Sequence, residues 1–296
     1  MDLRISSQFV NVDELRLHYL TCGTGDPVLL LHGWPTSSFL WRNVMSVMAQ
    51  HSQVIALDLP GFGKSDKPED ASYSFRFHER VLEGFLDALG IGATSLVVHD
   101  LGGPIGLYWA CHHRDRLQKL ALLNTIVYPE MSYAVVLFVA ACRIPGVRAV
   151  LASPWGLRSA MRFGVSDPAR LSEDAIRGVQ EPFEDWDARY ALLKAGYGLN
   201  PKGFKDIARL LPSLDVPVRI IYGERDRILP DVAETMRRVV GDLPQAEVTA
   251  LPGCGHFLQE ERPDEIGRLL ADFFADGTAA RAHTRRPLNA GPSRDS

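Results

Sequence analysis

The segment Val98-His99-Asp100-Leu101-Gly102-Gly103 sets a charged residue between an apolar run and two glycines. That pattern describes a tight strand–turn–helix elbow, with small residues where the turn presses on the helix and Pro104 suited to its first turn. The apex side chain is forced outward above the helix N-terminus, whose dipole stabilises negative charge. The match to the general G-x-nucleophile-x-G pattern is partial, because position 98 is valine, and the apex is Asp100 rather than serine. An aspartate, with an ordinary pKa of about 3.9, is already ionised at neutral pH and needs no base to attack. Attack on an ester carbonyl would give a reactive anhydride, a poor route to hydrolysis. Attack on a saturated carbon bearing a leaving group gives an ordinary alkyl ester. The elbow therefore points to cleavage of carbon–halogen or epoxide carbon–oxygen bonds.

Such an ester must then be hydrolysed. His256, in the loop Pro252-Gly253-Cys254-Gly255-His256-Phe257, is suited to activating the water. Asp226, which follows the apolar run Val218–Ile221, would orient the imidazole and stabilise its cation. Glu224 and Asp231 are rivals, but the spacing Gly223-x-x-Asp226-x-x-x-Pro230 favours Asp226. The order Asp100, Asp226, His256 is the nucleophile–acid–histidine order known for this kind of sheet. His32-Gly33-Trp34-Pro35 would supply one backbone N–H of an oxyanion hole, from Trp34, and Leu101 the other. Gly63-Lys64-Ser65 ends like a phosphate-binding loop, but Asp58 stands where that loop requires glycine. No G-x-S-x-G occurs, and the other histidines lack metal-ligand spacing. No metal, nucleotide or redox cofactor is expected.

These residues fall where a doubly wound sheet puts its reactive loops, beyond the carboxyl ends of strands. A hairpin of Gln8–Val12 and Leu15–Leu20 comes first. Short apolar runs follow at Val28–Leu31, Val54–Leu57, Leu96–Val98, Leu120–Leu123, Val218–Ile221 and Ala246–Leu251. Helical patterns separate them at Phe39–Met48, Glu79–Leu89, Pro104–Cys111, Val232–Val240 and Ile266–Phe274. This alternation implies an α/β fold, a mostly parallel sheet with helices on both faces. It breaks from Ile126 to Leu211, a stretch rich in aromatics with no convincing strand, read as a helical lid inserted after the sixth strand. The expected core is then 1–125 with 212–276, the lid 126–211, and 277–296 a disordered tail.

Composition sets the outer limits. Over 296 residues, 32 Lys and Arg against 36 Asp and Glu leave a charge of −4, which offers no global attraction to nucleic acid or an anionic membrane. The apolar run Ala134–Cys142 is too short to span a bilayer, and Met1-Asp2-Leu3-Arg4 opens no signal core. Cys22, Cys111, Cys142 and Cys254 are scattered and read as reduced thiols. A cytoplasmic monomer or homodimer acting on a small apolar molecule is the expectation.

As a set, these motifs resemble the α/β-hydrolase superfamily, in its branch with an aspartate nucleophile: haloalkane dehalogenases and epoxide hydrolases. The resemblance covers Phe9 to Phe274, and the segments from His32 to Arg42 and from Asp58 to Lys67 are similar to dehalogenase segments. It implies Asp100 as nucleophile, His256 as base and Asp226 as acid. In some dehalogenases the acid instead follows the strand after the elbow, and that position here is Asn124. Two departures bear on the leaving group. Dehalogenases usually hold the halide with a Trp directly after the nucleophile, helped by a lid Trp or an Asn after His-Gly; here those positions hold Leu101 and Trp34, with Trp155 a lid candidate. Epoxide hydrolases protonate the epoxide oxygen with lid tyrosines, for which Tyr128, Tyr133, Tyr190 and Tyr197 are candidates and Tyr190 ranks first. Epoxide hydrolysis therefore leads, haloalkane dehalogenation follows, and a non-catalytic ligand-binding protein on the same fold is the third reading.

Overall fold

The computed structural model describes residues 4–130 and 133–275. The tail expected at 277–296 lies outside the described residues. β1 (Ser6–Val12) and β2 (Leu15–Cys22) form the hairpin, turning at Asp13 with φ of 52°. Then come β3 (Asp26–Leu31), α1 (Arg42–Met48), β4 (Ser52–Leu57), α2 (Phe75–Ala88), β5 (Thr94–Asp100), α3 (Gly102–His112) and β6 (Leu117–Thr125). Six helices follow: α4 (Tyr133–Ala141), α5 (Pro145–Leu151), α6 (Pro154–Gly164), α7 (Glu173–Gln180), α8 (Trp186–Tyr197) and α9 (Pro201–Leu210). The chain closes with β7 (Val218–Gly223), α10 (Val232–Asp242), β8 (Ala246–Leu251), α11 (Leu258–Glu261) and α12 (Pro263–Ala275).

The eight strands form one sheet in the order β1-β2-β4-β3-β5-β6-β7-β8. β2 pairs antiparallel with β1 and β4, and every other pairing is parallel. Side chains alternate between the faces of a strand, so a continuous apolar run feeds two cores at once. Leu29, Leu31, Leu96 and Val98 point to the face covered by α2, α3 and α10. Val28, Leu30, Val97 and Leu123 point to the other, covered by α1 and α12. Each fully buried leucine is worth about 2 kcal/mol of transfer free energy, which makes the central strands a rigid base.

Helix starts differ from the periodicity because capping decides them. α2 begins at Phe75, four residues before Glu79, since the Ser74 side chain accepts the Phe77 N–H at 3.3 Å. The pattern expected over Phe39–Met48 splits into a 3-10 turn, Ser38–Trp41, and α1. α3 is buried along Gly102–Cys111, so it carries almost no amphipathic signal. Between β6 and β7 all α-helices are α4 to α9, and no strand occurs there among the described residues. No single helix among the described residues is long and apolar enough to cross a membrane.

Candidate active site

β5 ends on Asp100, whose φ of 48° lies in the left-handed region, and α3 starts two residues later. A non-glycine residue held there is strained and throws its side chain out of the turn. The neighbours are cut back to make room. A Cβ at Gly33 would overlap the Asp100 carboxylate, and one at Gly102 would strike the backbone of Leu31 and His32. Thr125, at the end of β6, donates its hydroxyl to the Asp100 carbonyl at 2.7 Å and fixes the elbow from behind.

The carboxylate faces two groups. Trp34 N–H donates to Asp100 Oδ1 at 2.7 Å, and His256 Nε2 lies 3.5 Å from Oδ2, an ion-pair contact with no hydrogen bond to Nε2. Burial opposes the Asp100 charge, but His256 and the Leu101 backbone N–H outweigh it and lower its pKa. His256 Nδ1 meets Asp226 Oδ2 at 2.7 Å, both side chains being fully buried. Burial pushes this imidazole down, yet Asp226 and Asp100 together raise its pKa to about 10. Asp226 also accepts the N–H groups of Ile228 and Leu229, each at 2.8 Å. Its pKa is lowered, since His256 and these donors override burial.

Three supporting residues were not legible as such in the sequence. Asn124, at φ 31°, donates to Asp226 Oδ2 at 2.7 Å and to the Gly255 carbonyl at 3.2 Å, and accepts the Gly223 N–H at 2.9 Å. One amide thus joins the ends of β6 and β7 and the histidine loop. Glu261 takes the Gly255 N–H at 2.6 Å and the Ser166 N–H at 3.0 Å. His99 lies behind His256, its Nε2 3.0 Å from the His256 carbonyl. Burial, then the charge of His256, lowers the His99 pKa to about 3, so it stays neutral. The His256 N–H reaches the Gly164 carbonyl at 2.6 Å, tying the loop to α6.

Asp100 opens into a cavity of about 510 Å³. Trp34 and Leu101 line it from the sheet side, and Phe138, Val150, Trp155 and Phe163 from the helical insertion. The Trp34 indole Nε1 is buried without a hydrogen-bond partner among the described residues. Trp155 is on the rim, 69% exposed. Tyr190 is not brought to this cavity: it sits under Arg148, 5.5 Å from the ring centroid, and beside Tyr197. Tyr128 donates to Asp242 at 2.7 Å and Tyr133 is 72% exposed, so none of the four tyrosines lines the cavity of Asp100. A second cavity of about 310 Å³, which Tyr197 does line, shares Leu101, Ile126, Val135 and Gly196 with the first. Among the described residues no group of three or more His, Cys, Asp or Glu is arranged to hold a metal.

Residues 26–143 match the family described as alpha/beta hydrolase fold. The chain is 33% identical over 287 residues to a haloalkane dehalogenase of Sphingobium indicum, covering 90% of this chain and 94% of that one. It is 31% identical over 288 residues to the cis-3-alkyl-4-alkyloxetan-2-one decarboxylase of Shewanella oneidensis, covering 93% and 90%. The solved structure of the epoxide hydrolase CorEH superposes with a TM-score of 0.80 over 92% of this chain and 99% of that one, a likeness of fold at 24% identity. The chain therefore belongs to the α/β-hydrolase superfamily, in its branch with an aspartate at the elbow.

Proposed function

We propose that this hydrolase displaces a leaving group from a saturated carbon through a covalent ester on Asp100, and that the leaving group departs as an anion, as in haloalkane dehalogenation. The observation that carries this reading is a carboxylate in an apolar cavity whose wall includes Trp34, a residue with a buried indole N–H that has no hydrogen-bond partner among the described residues. In the first step an Asp100 oxygen bonds to the substrate carbon, the carbon–halogen bond breaks, and the halide leaves toward the Trp34 side of the cavity. In the second, water attacks the ester carbonyl and gives its proton to His256 Nε2. Asp226 stabilises the resulting imidazolium, and the Trp34 and Leu101 N–H groups stabilise the oxyanion. Collapse breaks the bond from the carbonyl carbon to the alkyl oxygen, His256 gives its proton to the departing alkoxide so that it leaves as the alcohol, and the Asp100 carboxyl loses its proton to restore the carboxylate. Esterification also removes one of the two anions that raise the His256 pKa. The imidazole therefore becomes a readier base when hydrolysis is due. The helices α4 to α9 serve as the lid over this chemistry.

This order reverses the one expected from sequence. An epoxide oxygen leaves as an alkoxide and calls for a proton donor, and among the described residues no phenol lines the cavity of Asp100. A second reading has its own observation. The adjoining cavity at Leu101 gives room for a second apolar arm, and the Shewanella relative is named for a four-membered lactone with two alkyl arms. Opening that ring at its saturated carbon also expels an anion, a carboxylate. Halide release from 1-bromohexane, measured beside diol formation from 1,2-epoxyhexane, tests the leading reading. Halide release lost in Asp100→Asn is the expected result; diol formation without halide release would overturn it.

A further inference from the structure

A second array of nucleophile, base and acid lies on the opposite edge of the sheet from the β8 end, where β1 and β2 pair. Ser7 Oγ lies 2.8 Å from His18 Nε2, and His18 Nδ1 lies 2.7 Å from Asp58 Oδ2. His18 and Asp58 are 3% and 1% exposed, whereas Ser7 is on the exposed part of β1. Asp58 accepts the Ser38 N–H at 2.6 Å and the Lys64 N–H at 2.8 Å, which hold the carboxylate in place. The His18 N–H donates to Ser65 Oγ at 2.9 Å, and that hydroxyl donates to the Asp58 carbonyl at 2.6 Å. The acid and the base of the relay are therefore fixed. With Asp58 as acceptor, Nδ1 carries the proton and Nε2 presents its lone pair to the Ser7 hydroxyl. These are the roles by which such a triad is recognised, whatever its place in the chain.

We propose that Ser7 is a second nucleophile, an acyl-acceptor site in which His18 is the base and Asp58 holds the imidazole. Ser7 stands on an exposed strand, so the site takes unhindered, intrinsically activated acyl donors such as small aryl esters. It does not take the apolar substrates of the Asp100 cavity. In the acylation step the Ser7 oxygen bonds to the acyl carbon and its proton passes to His18 Nε2. The bond from that carbon to the aryl oxygen breaks, and the phenolate departs.

The same hydrogen bonds also anchor the hairpin to the sheet, so the test must read reactivity. Asp100→Asn protein is treated with p-nitrophenyl acetate, and acetylated residues are located by peptide mass spectrometry. The expected result is acetyl on Ser7, gained about a hundredfold faster than on Ser6, and slowed about as much by His18→Gln. Ser6 is the internal control, since it is exposed on the same strand but faces the other side of the sheet. It needs no variant, so the comparison stands even where His18→Gln folds poorly. Equal labelling of Ser6 and Ser7, or no label on Ser7, would overturn the proposal and leave the array a structural anchor.

Discussion

The loops at the ends of β5, β6 and β7 and the helices α4, α5, α6 and α8 meet across one cavity and are built on opposite principles. On the sheet side, the polar groups around Asp100 are tied. Asp226 has contacts from His256, Asn124, Ile228 and Leu229, and Asp100 is held at Trp34 and at Thr125. On the helical side the lining is apolar and loosely covered. α4 has no buried residue, and Val150, Phe163 and Trp155 are more than half exposed. Reaction geometry tolerates little displacement, whereas an apolar wall selects by shape and area, which change gradually. Substitutions on the sheet side should therefore cost orders of magnitude in rate, and those on the helical side small factors in KM.

The largest effect belongs to Asp100→Asn, which should lower halide release by at least about 10⁴-fold while the chain still folds, as read by circular dichroism. Asp226→Asn comes next. With a neutral amide at Nδ1 the His256 tautomer and cation lose their support, and ester hydrolysis should slow about 10³- to 10⁴-fold. Trp34→Phe keeps the backbone N–H that holds Asp100 but removes the indole donor. Pre-steady-state halide release should fall about 10²-fold, and an unchanged rate would place the departing anion elsewhere. On the helical side, Trp155→Ala should raise KM about threefold to tenfold with kcat nearly unchanged. A collapse in kcat there would break the comparison.

The pH dependence sharpens the same contrast, because the strongly coupled groups all lie on the sheet side. His256 has a folded pKa above its ordinary value, so its ion pairs stabilise the fold fully below about 6.5. That stabilisation is lost as pH rises through about 10. The difference in Tm between the native chain and His256→Gln should therefore narrow on moving from neutral to strongly alkaline pH. For Trp155→Ala the difference should stay flat, since no titrating group is removed.

How much of this was legible in the sequence follows from the range of the signals. Asp100, Trp34, Asp226 and His256 each stand just past an apolar run, within three residues of a glycine, and a strand-end reading finds all four locally. Asn124 sends its amide to residues 223, 226 and 255. Those contacts exist only because β6 lies between β5 and β7, a fact of topology. Ser7, His18 and Asp58 are joined in the same way, by a hairpin and a neighbouring strand. The placement of Tyr190 depends on how α8 rotates against α5, and an aromatic-rich composition carries no record of that. Helix starts were displaced where one serine side chain, at position 74, outweighed the hydrophobic period.

A covalent alkyl ester on Asp100 should be visible in the intact mass of His256→Gln after incubation with 1-bromohexane. Without the base the ester should form but persist. The mass should rise by one hexyl group without bromine, located on the peptide containing Asp100 and absent when Asp100→Asn is added. Release of bromide with no adduct on Asp100 would contradict it.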